Sequence, residues 1–201
     1  MNCNAKIKIK NIFIKNHGYA KTRDIVNANI HRKYLKELLE EGNIYRLKRG
    51  LYKWNELEYD SSSEIVDVVK IVPKGVICLV SALSYHDLTT SIPAEYQVAV
   101  HRKSKVVLPD YPPIKLYFFT EKYYQTGIDH IRVAGNKVKI YDMEKTICDC
   151  FRLSNEINKD ILLEGIKEYM KRRDRNIDKL MKYAKLTRTE TQITKHVEAL
   201  L

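Results

Sequence analysis

One stretch constrains this chain more than any other: Tyr19 to Trp54, YAKTRDIVNANIHRKYLKELLEEGNIYRLKRGLYKW. Thr22 is placed to N-cap a short helix carrying Ile25 and Val26, because a threonine hydroxyl accepts from backbone N–H groups left free in a first turn. Asn27-Ala28-Asn29 supplies a turn, since asparagine tolerates left-handed backbone. A second helix is expected from Ile30 to Glu41, ended by Gly42 as its C′ residue. At about 100° per residue, Ile30, Tyr34, Leu35, Leu38 and Leu39 form one apolar face. Asn29, Lys33, Lys36 and Glu40 point away from it, with Arg32 at the border. His31 falls on the packed side, which suits a buried or capping histidine better than a base contact. Asn43–Leu47 and Leu51–Trp54 then flank Lys48-Arg49-Gly50, a basic hairpin tip with glycine where positive φ is needed.

Helix, turn, helix and hairpin in this order read as a winged helix-turn-helix. A helix packed on one side and basic on the other suits entry into a major groove, and the basic tip suits a phosphate or the minor groove. The candidate duplex contacts are Thr22, Arg23, Asn29, Arg32, Lys33, Lys36, Lys48 and Arg49. A merely solvated helical hairpin carries the same kind of polar face, so the charge distribution has to decide. Of the 201 residues, the first 55 hold 13 Lys/Arg against 4 Asp/Glu, a balance of +9 within the total of +11. The other 146 hold 23 basic and 21 acidic residues. A basic excess confined to one end is the electrostatic footprint expected of a nucleic-acid binder.

Along the rest of the chain, residues 5–17 read as a first helix on Ile9, Ile12 and Phe13, and Tyr19-Ala20-Lys21 as a short strand. The polar run after Trp54, residues 55–62, reads as a hinge, giving a DNA-binding domain at 1–56 and a second domain at 62–201. Beyond it come a helix on Ile65, Val68, Val69 and Val72 stopped by Pro73, and an apolar segment Val76–Val80. Strands follow at Tyr96–Val100, Ile114–Phe119, Ile128–Val133 and Lys137–Tyr141. Prolines 109, 112 and 113 make residues 105–113 a loop. From Asp142, a capping residue, four amphipathic helical segments complete the chain. The expected fold class is α+β: an N-terminal winged helix-turn-helix followed by a mixed α/β domain with a C-terminal helical cap.

Cys3, Cys78, Cys148 and Cys150 make neither a CxxC pair nor a finger spacing, so reduced thiols are expected and no structural zinc. The histidines lack metal-ligand spacing, the seven glycines make no phosphate loop, and no serine sits in a nucleophile elbow. No metal or cofactor is expected. With no long apolar run and no signal peptide, the expectation is a soluble, cytoplasmic protein.

With both halves read, the sequence resembles the AbiEi family, the antitoxins of type IV toxin–antitoxin systems of the AbiE kind. The carriers are GYAKTRDIVNANIHRKYLKELLEEGNIYRLKRGLY in the first half, then ALSYHDLTTSIP, QVAV followed by basic residues, and VKIYDMEKTICDCFR. The resemblance implies an autorepressor whose winged helix binds inverted operator repeats in duplex DNA. It implies further that the second domain counters a nucleotidyltransferase-like toxin in abortive infection by phage.

The segment Asp142–Asp149 is where polar residues crowd an otherwise packing helix, and three readings of it stand open. Lys145 and Asp149, four apart, can pair within the helix. Asp142, Glu144, Lys145 and Asp149 can instead form the surface that meets the toxin. The third reading is a metal-dependent nuclease site on a DNA-reading arm, against which adjacent Glu144 and Lys145 diverge by about 100° on a helix. A plain ligand-responsive transcriptional regulator is the remaining alternative for the whole chain.

Overall fold

The computed structural model describes residues 3–55 and 63–199, the side chains of Cys3 and Ser63 excepted. The expected hinge at 56–62 lies outside the described residues. The fold is α+β and divides into two compact units. The first is Met1–Pro73 with Val107–Pro112 and Arg132–Lys137; the second is Lys74–Val106, Pro113–Ile131 and Val138–Leu201.

In the first unit α1 (Cys3–Lys15), β1 (Tyr19–Lys21), α2 (Thr22–Asn27), α3 (Lys33–Glu40), β2 (Ile44–Lys48), β3 (Leu51–Trp54) and α4 (Ser63–Ile71) follow one another. The strands form an antiparallel sheet in the order β1-β3-β2. Alternation along the strands gives the sheet two different faces. Ala20, Ile44 and Trp54 join Ile9, Phe13, Ile25, Ile30, Leu35 and Leu38 in one core, with Tyr52 packed against it. Phe13 meets Trp54 edge-on at 5.3 Å between ring centroids. The opposite face, bearing Tyr19 and Lys53, is met by α4. Asp67 accepts from the Tyr19 hydroxyl at 2.7 Å and pairs with the Lys53 ammonium at 2.9 Å.

That contact is why the first unit runs to Pro73 rather than ending near residue 56, where composition alone sets the boundary. A lysine only 6 % exposed needs a counter-charge, and α4 brings it. Burial alone pulls the Lys53 ammonium down, but its bonds to Asp67 and Tyr45 outweigh that and hold it above the usual lysine range.

The second unit comprises β4 (Val76–Ile77), α5 (Leu79–Tyr85), β5 (Tyr96–His101), β6 (Ile114–Phe119), α6 (Glu121–Gln125), β7 (Ile128–Val133), β8 (Asn136–Tyr141), α7 (Met143–Arg152), α8 (Lys159–Lys171), α9 (Ile177–Thr187) and α10 (Glu190–Glu198). The five-stranded sheet runs β6-β5-β4-β8-β7. It is mixed: β4 is antiparallel to β5, whereas β5/β6 and β4/β8 are parallel. No strand forms between His101 and Ile114, where the three prolines stand. Helices α5 and α7 to α10 share one core with the sheet, built on Val76, Leu83, Ala99, Tyr117, Tyr141, Ile147, Ile166, Leu180 and Ile193 among others. Asp142 caps α7 as its sequence position predicts, its carboxylate accepting from the Lys145 N–H at 2.7 Å. No described helix is long and apolar enough to cross a membrane.

Candidate nucleic-acid interface

The first helix of the pair, α2, opens differently from its sequence reading. Lys21 rather than Thr22 holds the N-cap position, and the Asp24 carboxylate turns back to accept from the Lys21 N–H at 2.8 Å. Thr22 is the first helical residue, and its own N–H donates to the Gly50 carbonyl at 3.0 Å. The start of α2 is therefore tied to the tip of the β2–β3 hairpin, with Thr22 beside Gly50.

The turn between the helices closes α2 through two hydrogen bonds. Asn29 N–H donates to Val26 at 2.9 Å and Ile30 N–H to Ile25 at 3.1 Å, the paired closure that a left-handed residue after a helix permits. Asn29 is that residue, with φ of 57°. Ile30 is spent in this closure and buried against Ile25. Helix α3 therefore begins at Lys33, later than the expected Ile30. His31 is exposed and caps: its Nδ1 accepts from the Lys33 N–H at 3.1 Å. At the far end Gly42, at φ of 70°, donates to Leu39 and lets the chain turn into β2.

The side chains divide as the helical wheel requires. Leu35 and Leu38 are buried, whereas Asn29, Arg32, Lys33, Lys36 and Glu40 are exposed. Their partners are weak ones. The Lys36 ammonium lies 3.7 Å from Glu40 with both side chains largely solvated, and Lys33 stands 5.2 Å from the Tyr34 ring centre. Arg23 lies 3.7 Å from Asp24. Such exposed pairs are worth about 0–1 kcal/mol and exchange readily for a phosphate. Arg49 at the hairpin tip is exposed. Lys48 is not a free tip residue. Half-buried, it donates its ammonium to the carbonyl of Ile71 at the end of α4. The sequence reading missed this because α4 is more than twenty residues away in the chain.

In the second unit the four polar residues of α7 are corrected from a candidate recognition surface to a buried network. Asp142, Glu144, Lys145 and Asp149 are 5 %, 3 %, 0 % and 0 % exposed. Lys145 pairs with Asp149 one turn on, and Arg152 holds the other oxygen of Asp149 at 2.9 Å. Lys179 of α9 reaches both Asp142 and Glu144 at 3.1 Å. Tyr169 donates to Glu144 at 2.9 Å and Tyr183 to Asp142 at 3.3 Å. Rings cover the cations: Lys145 stands 4.6 Å from the centre of Tyr141, and Arg152 4.5 Å from that of Phe119. Burial pushes the Asp142 carboxyl up and the Lys145 ammonium down, each opposed by its partners. Every carboxylate here is held by an ammonium, guanidinium or phenol. Among the described residues no three His, Cys, Asp or Glu gather as a metal-binding group. Of the network, the Lys145–Asp149 pair was legible from its spacing; Tyr169, Lys179 and Tyr183 were not, because they come from later helices.

Residues 8–52, which run from α1 through the first half of β3, match the model of a family described as transcriptional regulator, AbiEi antitoxin. No curated protein matches the chain. The match stops short of α4 and of the second unit. It covers the helix–turn–helix and most of the hairpin whose outward residues are described above, and over that segment the chain is similar to AbiEi antitoxins described as transcriptional regulators.

Proposed function

We propose that this chain is a DNA-binding antitoxin that represses its own operon. The first unit acts as a winged helix. Helix α3 enters the major groove with Arg32, Lys33 and Lys36, Asn29 lies at its entrance, and Thr22, Arg23 and Arg49 grip the flanking backbone. Operator half-sites arranged as inverted repeats suit this mode of reading. The second unit, with helices α7 to α10 capping the mixed sheet, neutralises a nucleotidyltransferase-like toxin, and the pair acts in abortive infection by phage. The reading is that of a regulator and not of an enzyme.

The observation that carries the proposal is the split face of α3. Leu35 and Leu38 are locked into the core, while three cations stand exposed on the other side with no strong partner. The family description of residues 8–52 points the same way. The test has two arms on the full chain. A gel shift with the duplex upstream of its reading frame should show a shifted band that unrelated duplex does not compete away. Co-expression with the product of the neighbouring reading frame should relieve that product's toxicity. A chain that binds promoter and random duplex alike is not the operator's repressor, and one that fails to protect is not an antitoxin.

A further inference from the structure

The antiparallel ladder places Lys21 of β1 and Lys48 of β2 on either side of Leu51, in one row across the sheet. Directly paired residues project to the same face, and here it is the face that α4 meets through Tyr19, Lys53 and Asp67. Lys48 reaches the last turn of α4 and donates to the Ile71 carbonyl. Lys70, one residue earlier in that turn, lies 5.1 Å from the centre of the Tyr19 ring. All three lysines are half-buried at this corner between sheet and helix, and the charge of Lys21 acts on both Lys48 and Lys70.

The groups that meet Lys48 and Lys70 here are neutral, the Ile71 carbonyl and the Tyr19 ring, and no described carboxylate answers the charge. Asp67 is taken by Lys53 and Tyr19, and Asp24 by Arg23 and the Lys21 N–H. Among the described residues no carboxylate pairs with Lys21, Lys48 or Lys70. Burial pushes both Lys48 and Lys70 below the usual lysine range, and the charge of Lys21 pushes them further. The contrast with Lys53 is direct: that ammonium, buried a few residues away, has its carboxylate. Lys48 spends one N–H on Ile71, so two of its three donors remain.

We propose that Lys21, Lys48 and Lys70 form a binding site for a phosphate-class oxyanion at this corner of the first unit. A tetrahedral oxyanion offers acceptors to several ammonium groups at once, in charge-assisted bonds that remove their mutual repulsion. The hairpin tip Arg49-Gly50 follows Lys48 directly, and Gly50 bonds to Thr22 beside Lys21. A phosphate of the duplex backbone reaching the tip is therefore the first source of the anion, a choice that rests on the function proposed above. Inorganic phosphate is the second source of the same chemistry. Lys70 lies outside the family-matched segment 8–52, so the site extends the interface into α4.

The experiment uses the full chain as wild type, Lys70→Met and Lys70→Arg, with Lys21→Ala read in the same way should Lys70→Met not fold. In one arm, Tm is measured in inorganic phosphate and in chloride at matched ionic strength. In the other, duplex affinity is measured against salt. Phosphate should raise the wild-type Tm, and the increment should vanish in Lys70→Met and return in Lys70→Arg. A backbone phosphate at the site lowers the salt slope of Lys70→Met by about 1. A Tm effect with an unchanged slope assigns the site to free phosphate, and a slope effect alone assigns it to the duplex. Neither effect, in a Lys70→Met protein with wild-type circular dichroism, overturns the site. Lys33→Ala/Lys36→Ala should lose duplex affinity yet keep the phosphate increment. Should the wild type bind no promoter duplex, the repressor reading falls and the Tm arm alone decides the oxyanion site.

Discussion

The Tyr19 hydroxyl donates to Asp67 Oδ1 at 2.7 Å, joining residues 48 apart in the chain. Through this bond and the Lys53–Asp67 pair, α4 becomes part of the sheet's second face rather than the start of another domain. Asp67→Ala leaves a buried lysine and a buried phenol without their acceptor, and should cost about 3–5 kcal/mol of stability. The same logic separates two fragments. Residues 1–73 should fold cooperatively by circular dichroism, whereas 1–55 uncovers Lys53, Leu47 and Leu51 and should melt broadly or not fold. A 1–55 fragment as stable as 1–73 would remove α4 from the unit.

For the duplex interface, Lys33→Ala/Lys36→Ala should weaken promoter binding at least tenfold with little change in Tm, because both side chains are solvated. Arg32→Ala should also relax sequence preference if its guanidinium reads a guanine, a contact worth about 1–3 kcal/mol. Arg49→Ala should lower affinity for all sequences and flatten the salt slope by about 1. Lys48→Ala differs from Arg49→Ala in that it also loses the bond to Ile71, so its Tm should fall as well. Affinity titrations at several salt concentrations, with melting curves beside them, read all four variants.

In the second unit, Asp149→Ala strands Lys145, which is fully buried, and removes the carboxylate that both Nε and Nη2 of Arg152 bond. The expected cost is about 3–5 kcal/mol in urea unfolding. The double variant Lys145→Met/Asp149→Leu removes both charges and should recover most of that loss. If the single and double variants are equally destabilised, the ion pair is not what Asp149 supplies.

The buried thiols make the fold sensitive to alkali. Burial pushes Cys148 up to about 12 from 9.0, with Asp149 adding to the effect, and lifts Cys78 and Cys150 well above their usual range. Between the unfolded and folded values the native protein keeps protons that the unfolded chain has released. The thiols therefore support the fold fully below pH 9 and lose that support as pH climbs toward 12. Urea midpoints should fall steadily above about pH 9. At pH 8 a disulfide reagent should leave Cys78, Cys148 and Cys150 unmodified until denaturant is added; rapid labelling of the native protein contradicts their burial.

Local chemistry was legible in the sequence, and long-range partnership was not. Asp142 as a cap, Gly42 as a helix stop, the left-handed Asn29 and the outward cations of α3 all follow from spacing within a few residues. The late start of α3 was missed because the closing turn of α2 captures Ile30. The roles of Lys48 and Lys53 were missed for one reason: both depend on α4, whose Asp67 and Ile71 meet the sheet only in three dimensions. The polar residues of α7 resembled a surface because a helix so rich in charge is ordinarily solvated. Their cover comes from Lys179, Tyr169 and Tyr183, which nothing in the spacing of α7 announces.

The closed ledger of α7 has a practical side. Asp142, Glu144 and Asp149 are matched by Lys145, Arg152 and Lys179 inside the fold, so this network has little charge to trade with dissolved ions. The cations of α3, by contrast, sit in water, where screening shortens to about 3 Å at 1 M salt. Concentrated salt should thus strip nucleic acid from the first unit and leave the second in its native arrangement. A purification eluted from heparin or DNA resin by salt alone should deliver the free protein with its second unit intact, so that the proposed toxin binding can be tested without a refolding step.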